Sequence, residues 1–266
     1  WVPGSSYRPS SYALEAKTRA TQYIGIDKNS YMEIWQMRKA LEACPHFDYI
    51  IFDACNMGQA EVAYELRNIA DYMLACPTEI MAEGLPYASM IKSLSNCQSK
   101  ETLINALKQV IDDFAKYYPG SPNAEEGEEV TDGGLIALTD LKQINDLRQS
   151  FKKLLADCTE DRADLLDRNF VKLQPFGQNY TGTRYLFFDM EAVAEVLDNN
   201  QGLSSYQEFM QALKRAILKE YHSKHFLTFG EMRSCGLGVA LPEFFEYSRH
   251  PEITTAAYNE LQWTKD

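Results

Sequence analysis

The 266-residue chain carries a formal net charge of −12, from 26 Lys and Arg against 38 Asp and Glu, and 45% of its residues are hydrophobic. That size and apolar content suffice for one large α/β domain, or a domain with a subdomain, without disulfide staples. The acidic balance, with no clustered basic face, argues against a nucleic-acid partner and favours cationic substrates.

The start Trp1-Val2-Pro3-Gly4 has neither an initiator Met nor a signal peptide, and reads as the trimmed or processed end of a longer protein. Residues 1–30 are rich in Pro, Gly, Ser and Thr and contain Arg8, Lys17, Arg19 and Lys28, which suggests an exposed, flexible lead-in. Met32, Ile34, Met37 and Leu41 give residues 31–41 a helical pattern, which Cys44-Pro45 stops. The apolar run 49–52 predicts a buried strand, 59–68 a helix with Val62, Leu66 and Ile69 on one face, and 72–76 a second strand. Strand, helix and strand in that order mark a parallel βαβ unit. A loop over 77–86 precedes a long amphipathic helix at 102–118. Pro119, Gly120, Pro122 and then Glu125, Glu126, Glu128 and Glu129 form a turn-rich acidic loop, read as a subdomain boundary. Beyond it the pattern predicts strands at 135–138, 185–188 and 237–241, and helices at 141–166, 191–197 and 206–221. No run approaches about 18 consecutive apolar residues, so no membrane span is expected.

Six cysteines, Cys44, Cys55, Cys76, Cys97, Cys158 and Cys235, are spread widely with no C-x-x-C pair and no Cys/His spacing suited to zinc, so no metal site is expected from them. Cys55 stands apart because it closes a short apolar strand. A nucleophile at the carboxyl end of such a strand sits where open α/β sheets place their ligands, with the next helix N-terminus favouring a thiolate. Asn56-Met57-Gly58 supplies a tight turn there, so that the Cys55 N–H could face a developing oxyanion. The alternative is a buried structural thiol. Strand alternation places Asp53 on the same side as Cys55. A carboxylate there either receives a substrate Arg or Lys or caps nearby backbone N–H groups.

The segment Phe52-Asp53-Ala54-Cys55-Asn56-Met57-Gly58, continuing through Glu61 to Arg67 and Ala70-Asp71-Tyr72, resembles the clostripain-like cysteine peptidases, family C11 of the caspase-type clan. The resemblance is dense over 48–87 and weaker at Cys235-Gly236-Leu237-Gly238-Val239 and at 258–263. It implies a caspase-like three-layer α/β fold with a mostly parallel central sheet flanked by helices, plus a helical C-terminal elaboration. It also implies an endopeptidase that cleaves polypeptides after Arg or Lys through a Cys–His dyad and an acyl-enzyme, self-processed and secreted or extracytoplasmic. Carried over, Cys55 is the nucleophile, Asp53 the acid at the base of the substrate pocket, and Thr78, Glu79 and Glu83 belong to the pocket wall. The chain then divides into a lead-in with candidate processing sites (1–30), a core with the nucleophile (31–120), and the rest of the core with a helical subdomain (121–266).

The family's histidine belongs to a His-Gly-x-Gly-Trp type motif, of which only Trp1 is visible. In caspases the histidine lies roughly 50 residues before the nucleophile, and no histidine precedes His46 here. His46 falls at the opposite end of the strand from Cys55, roughly 20 Å or more away at about 3.3 Å per residue. His222, His225 and His250 lie late in the chain. An N-terminal light chain of the same precursor is therefore the expected partner and source of the histidine. Lys17 before Thr18 and Arg19 before Ala20 are better processing sites than Arg8 before Pro9. No cofactor is required, although calcium at the Glu125–Glu129 loop is one option, against a solvated surface. The competing reading is an inactive relative that binds basic peptides.

Overall fold

The computed structural model describes residues 2–5, 23–27, 30–121, 123, 129–176, 186–227, 229–247 and 251–265. Arg8, Lys17, Arg19, Lys28, Glu125, Glu126, Glu128 and His250 lie outside them.

Three strands near the start, β1 (Val2–Ser5), β2 (Tyr23–Asp27) and β3 (Ser30–Glu33), form an antiparallel sheet. Helix α1 (Ile34–Leu41) therefore starts later than periodicity suggests, behind a reciprocal cap between Glu33 and Gln36. Next come β4 (Phe47–Ile51), α2 (Ala60–Leu66) and β5 (Ala70–Ala75), with β4 and β5 parallel as the βαβ pattern requires. Helices α3 (Tyr87–Leu94) and α4 (Lys100–Tyr117) follow. The chain returns in β6 (Leu135–Asp140), then α5 (Ile144–Asp157) and α6 (Arg162–Arg168). Asp161 caps α6, accepting the Asp164 N–H at 3.0 Å, which breaks the single helix expected over 141–166. The remaining elements are β7 (Pro175–Phe176), β8 (Phe187–Asp189), α7 (Met190–Asp198), α8 (Ser204–Ala216), β9 (Ile217–His222), β10 (Gly238–Ala240), α9 (Pro251–Tyr258) and α10 (Gln262–Lys265).

The main sheet has the order β4-β5-β6-β9, and only β4 and β5 are parallel; β6 and β9 each pair antiparallel. The expectation of a mostly parallel sheet is thus corrected to a mixed one. A second antiparallel sheet runs β10-β8-β7. Side chains alternate across β5. Tyr72 and Leu74 join a cluster with Leu107, Val110 and Phe114 of α4. Met73 and Ala75 join a larger one with Val62 and Leu66 of α2 and Leu147 and Phe151 of α5. Apolar packing thus holds both faces, the main source of stability for such a sheet. By contrast β4 is only half-buried along its length, not the buried strand that its apolar run suggests.

All seven residues of α2 are buried, its two glutamates included. Glu61 accepts the Ala240 N–H at 2.9 Å, and Glu65 takes Arg38 Nε at 2.7 Å and the Gln262 N–H. Arg148, itself buried, donates twice to the Trp263 carbonyl at 2.8 and 2.7 Å. The C-terminal helices are thereby fastened to the helix that leaves the Cys55 turn.

Candidate active site

Beyond β4 the backbone keeps contact with the continuation of β5. The Phe52 N–H donates to Leu74 O at 2.9 Å, Asn56 N–H to Thr78 O at 2.7 Å, and Gly58 N–H to Cys76 O at 2.8 Å. Between these ties the chain reverses, with Asn56 at φ 57°, a conformation that Asn tolerates better than most L-residues. Gly58 is obligatory for a different reason: a Cβ there would lie 2.6 Å from Pro77 N and 2.9 Å from Cys76 C, both backbone. The buried Gln59 side chain donates to Pro77 O at 2.8 Å, and Gly58 O accepts the Gly238 N–H at 2.9 Å. The turn is therefore held from two sides, by the 76–80 segment and by β10.

This turn presents Cys55. Asp53 and Cys55 are partly exposed while Phe52, Ala54 and Asn56 are buried, the alternation that the sequence suggests. Both backbone groups of Ile80 address the sulfur, the N–H donating at 3.5 Å and the carbonyl accepting from the thiol at 3.8 Å. Burial raises the thiol pKa, the Ile80 hydrogen bond opposes that, and the charges of Glu79 and Asp53 add to it. The largest influences on the thiol thus include no cation and no histidine. His46 pairs with Asp71 at 3.0 Å beside the starts of β4 and β5, and His222 with Glu220 at 3.0 Å.

Asp53 accepts the Tyr87 hydroxyl through Oδ2. Gly84, at φ 69°, packs directly against that carboxylate, and its carbonyl accepts the Tyr118 hydroxyl at 2.8 Å. The wall residues expected from sequence divide. Thr78 is wholly buried, its hydroxyl donating to Glu79 O at 3.2 Å, and it meets the turn through its carbonyl. Glu79 is 8% exposed and electrostatically coupled to Cys55. Glu83 is exposed, one residue before Gly84, and its charge helps raise the Tyr118 pKa, behind burial. Sequence reasoning misses Ile80, Gly84, Tyr87 and Tyr118, which reach the site only through folding; the positive φ of Gly84 had a signal, a lone glycine in a loop.

The family model described as the clostripain family matches residues 1–265. The chain belongs to the clostripain family. It is a cysteine peptidase, a hydrolase of family C11. Among solved structures, an inactive zymogen C11 protease from Parabacteroides distasonis is similar with a TM-score of 0.71 at 21% identity, covering 100% of this chain and 68% of that one. A secreted C11 cysteine protease from Bacteroides thetaiotaomicron gives a TM-score of 0.71 at 22% identity, covering 100% and 70%. A clostripain from Bacteroides thetaiotaomicron ATCC 29148, in complex with the peptide inhibitor BTN-VLTK-AOMK, gives 0.67 at 22%, covering 91% and 96%. No curated protein matches the chain. In this clostripain-family chain no helix among the described residues is long and apolar enough to cross a membrane.

Proposed function

We propose that this clostripain-family peptidase cleaves polypeptides on the carboxyl side of Lys or Arg, with Cys55 as nucleophile and Asp53 receiving the basic side chain. The observation that carries the proposal is the pairing of two partly exposed groups, a thiol and a carboxylate, on one rigid turn with a buried residue between them. The thiolate attacks the scissile carbonyl carbon, the carbon–nitrogen bond breaks as the amine leaves protonated, and water cleaves the thioester to restore the thiol. Backbone N–H groups at the turn, that of Cys55 first, are the oxyanion donors. Thr78 acts through its carbonyl in positioning the turn, Glu79 supplies negative potential from beneath the surface beside Cys55, and Glu83 supplies it at the exposed rim.

The base is a histidine from an N-terminal light chain of the same precursor. A thiol raised by burial and by neighbouring carboxylates needs an external cation to become a thiolate. Among the described residues, strand β4 is half-buried and last in the sheet order, an edge that the chain bringing it could meet. Self-processing at Lys17 or Arg19, secretion, and the caspase-like three-layer arrangement belong to the same proposal, supported by the family match and by the secreted relative. This chemistry requires no metal or cofactor, and calcium at the Glu125–Glu129 loop stays an option whose glutamates lie mostly outside the described residues.

Turnover of Lys- and Arg-terminated reporter peptides by the full-length enzyme tests the proposal. Cys55→Ala abolishes turnover, and Asp53→Ala lowers kcat/KM for basic reporters about 10- to 100-fold, the loss of one charge-assisted contact, with little effect on a Gln-terminated one. Unchanged basic preference in Asp53→Ala refutes the pocket; turnover surviving in Cys55→Ala refutes the nucleophile.

A further inference from the structure

The two oxygens of Asp53 are not equivalent. Oδ2 accepts the Tyr87 hydroxyl. Against the same carboxylate stands Gly84, so close that a Cβ there would lie 2.7 Å from Oδ2 and 3.0 Å from Oδ1. This loop is not free to retreat. The Tyr118 hydroxyl holds the Gly84 carbonyl, and the Tyr118 ring packs on Phe114 and Tyr117 at centroid separations of 4.7 and 4.9 Å. Tyr87 is the first residue of α3, so a helix fixes the position from which its hydroxyl reaches. The hydrogen bond to Asp53, ahead of burial and charge, pushes the Tyr87 pKa up to about 12, and the phenol stays a donor throughout the neutral range.

Arginine matches a carboxylate best by a fork, two parallel N–H···O bonds that use both oxygens, whereas a lysine ammonium is a compact charge satisfied by one. With Oδ2 already accepting from Tyr87 and the Gly84 backbone against the carboxylate, a fork would have to share Oδ2 with the phenol, whereas a single ammonium contact can use Oδ1 alone. We infer that Tyr87 is a specificity-determining residue: by donating to Asp53 Oδ2 it leaves only Oδ1 uncommitted for the substrate, weakens a two-oxygen fork, and sets the enzyme to favour Lys over Arg at the cleaved bond. The inference rests on the reading of Asp53 as the pocket acid.

The test compares kcat/KM for three matched reporter peptides, ending in Lys, Arg and Gln, in the full-length enzyme and in Tyr87→Phe, which keeps the ring and removes the hydroxyl. Each ratio is taken within one protein, so a loss of folded or active enzyme cancels. The wild type favours Lys over Arg, and Tyr87→Phe raises the Arg-to-Lys ratio roughly tenfold, the scale of one hydrogen bond to a charged group. A ratio that stays constant or falls in Tyr87→Phe, while both proteins still prefer basic reporters over Gln, overturns the role of Tyr87 and leaves Asp53 in place. A wild type that favours Arg overturns it as well. Equal turnover of Gln and Lys reporters by the wild type overturns the Asp53 reading and this inference with it.

Discussion

Gly58→Ala tests whether the Cys55 turn is positioned by its clamp on the 76–80 segment. The added methyl would sit 2.6 Å from Pro77 N and 2.9 Å from both Cys76 C and Pro77 Cα. These are backbone atoms that a rotamer change cannot move aside. To relieve the contact, the turn must part from the strand extension, stretching the Asn56–Thr78 and Gly58–Cys76 hydrogen bonds of 2.7 and 2.8 Å. Overpacking costs about 1–3 kcal/mol, and two weakened hydrogen bonds about 1 kcal/mol each at most, so a loss of about 3 kcal/mol is expected. For a domain of this size that lowers Tm by about 6–12 °C. The sulfur moves with the turn, and a displacement of about 1 Å at a reacting atom is enough for a roughly hundredfold fall in turnover. Thermal unfolding followed by circular dichroism, with kcat/KM on a Lys reporter measured well below the lowered Tm, checks both parts. A variant that unfolds within about 2 °C of the parent and keeps full activity would refute the clamp.

Two further outcomes follow from buried acids and thiols. Burial raises Glu61 from 4.5 to about 7, so the folded state holds its proton while the unfolded state releases it. Its contribution is therefore fully present below pH 4.5 and is lost as pH rises to about 7, roughly 3 kcal/mol over that window. Glu61→Gln flattens this part of the pH profile in urea unfolding, and a wild-type and variant difference that does not change between pH 4.5 and 7 contradicts it. In the 266-residue chain alone, Cys55 reacts with iodoacetamide at neutral pH more slowly than exposed Cys44, and gains rate as pH rises, because burial holds it as the thiol. Faster alkylation of Cys55 than of Cys44 at pH 7 would mean that a cation within this chain stabilises the thiolate.

What the sequence revealed was what is local. The apolar run ending at Cys55, the helix after it and the strand at Ala70–Ala75 are each specified by consecutive residues, and alternation alone put Asp53 beside Cys55. Residues 206–221 show why local pattern was insufficient elsewhere. Phe209, Leu213, Ile217 and Tyr221 keep a four-residue spacing, yet the helix stops at Ala216 and Ile217–His222 turns into a strand beside β6. An otherwise unpaired row of buried β6 backbone groups outweighs helical periodicity there. Sheet polarity was equally hidden, since one βαβ unit fixes one parallel pair and says nothing about strands that return after two helices. Tyr87 and Gly84, which meet the Asp53 carboxylate, are each separated from it by about thirty residues, and the Tyr118 hydroxyl that holds the Gly84 carbonyl comes from further along still, its aim set by tertiary packing. No spacing rule marks such residues in advance.

Cys55 reacts with a peptide whose basic side chain lies on Asp53. Labelling the active full-length enzyme with a Lys-terminated peptide acyloxymethyl ketone, then mapping the adduct by mass spectrometry, addresses it most directly. One label per chain is expected, on Cys55, formed much more slowly in Asp53→Ala. A label on another of the six cysteines, or labelling of Cys55 at the same rate in Asp53→Ala, would contradict it.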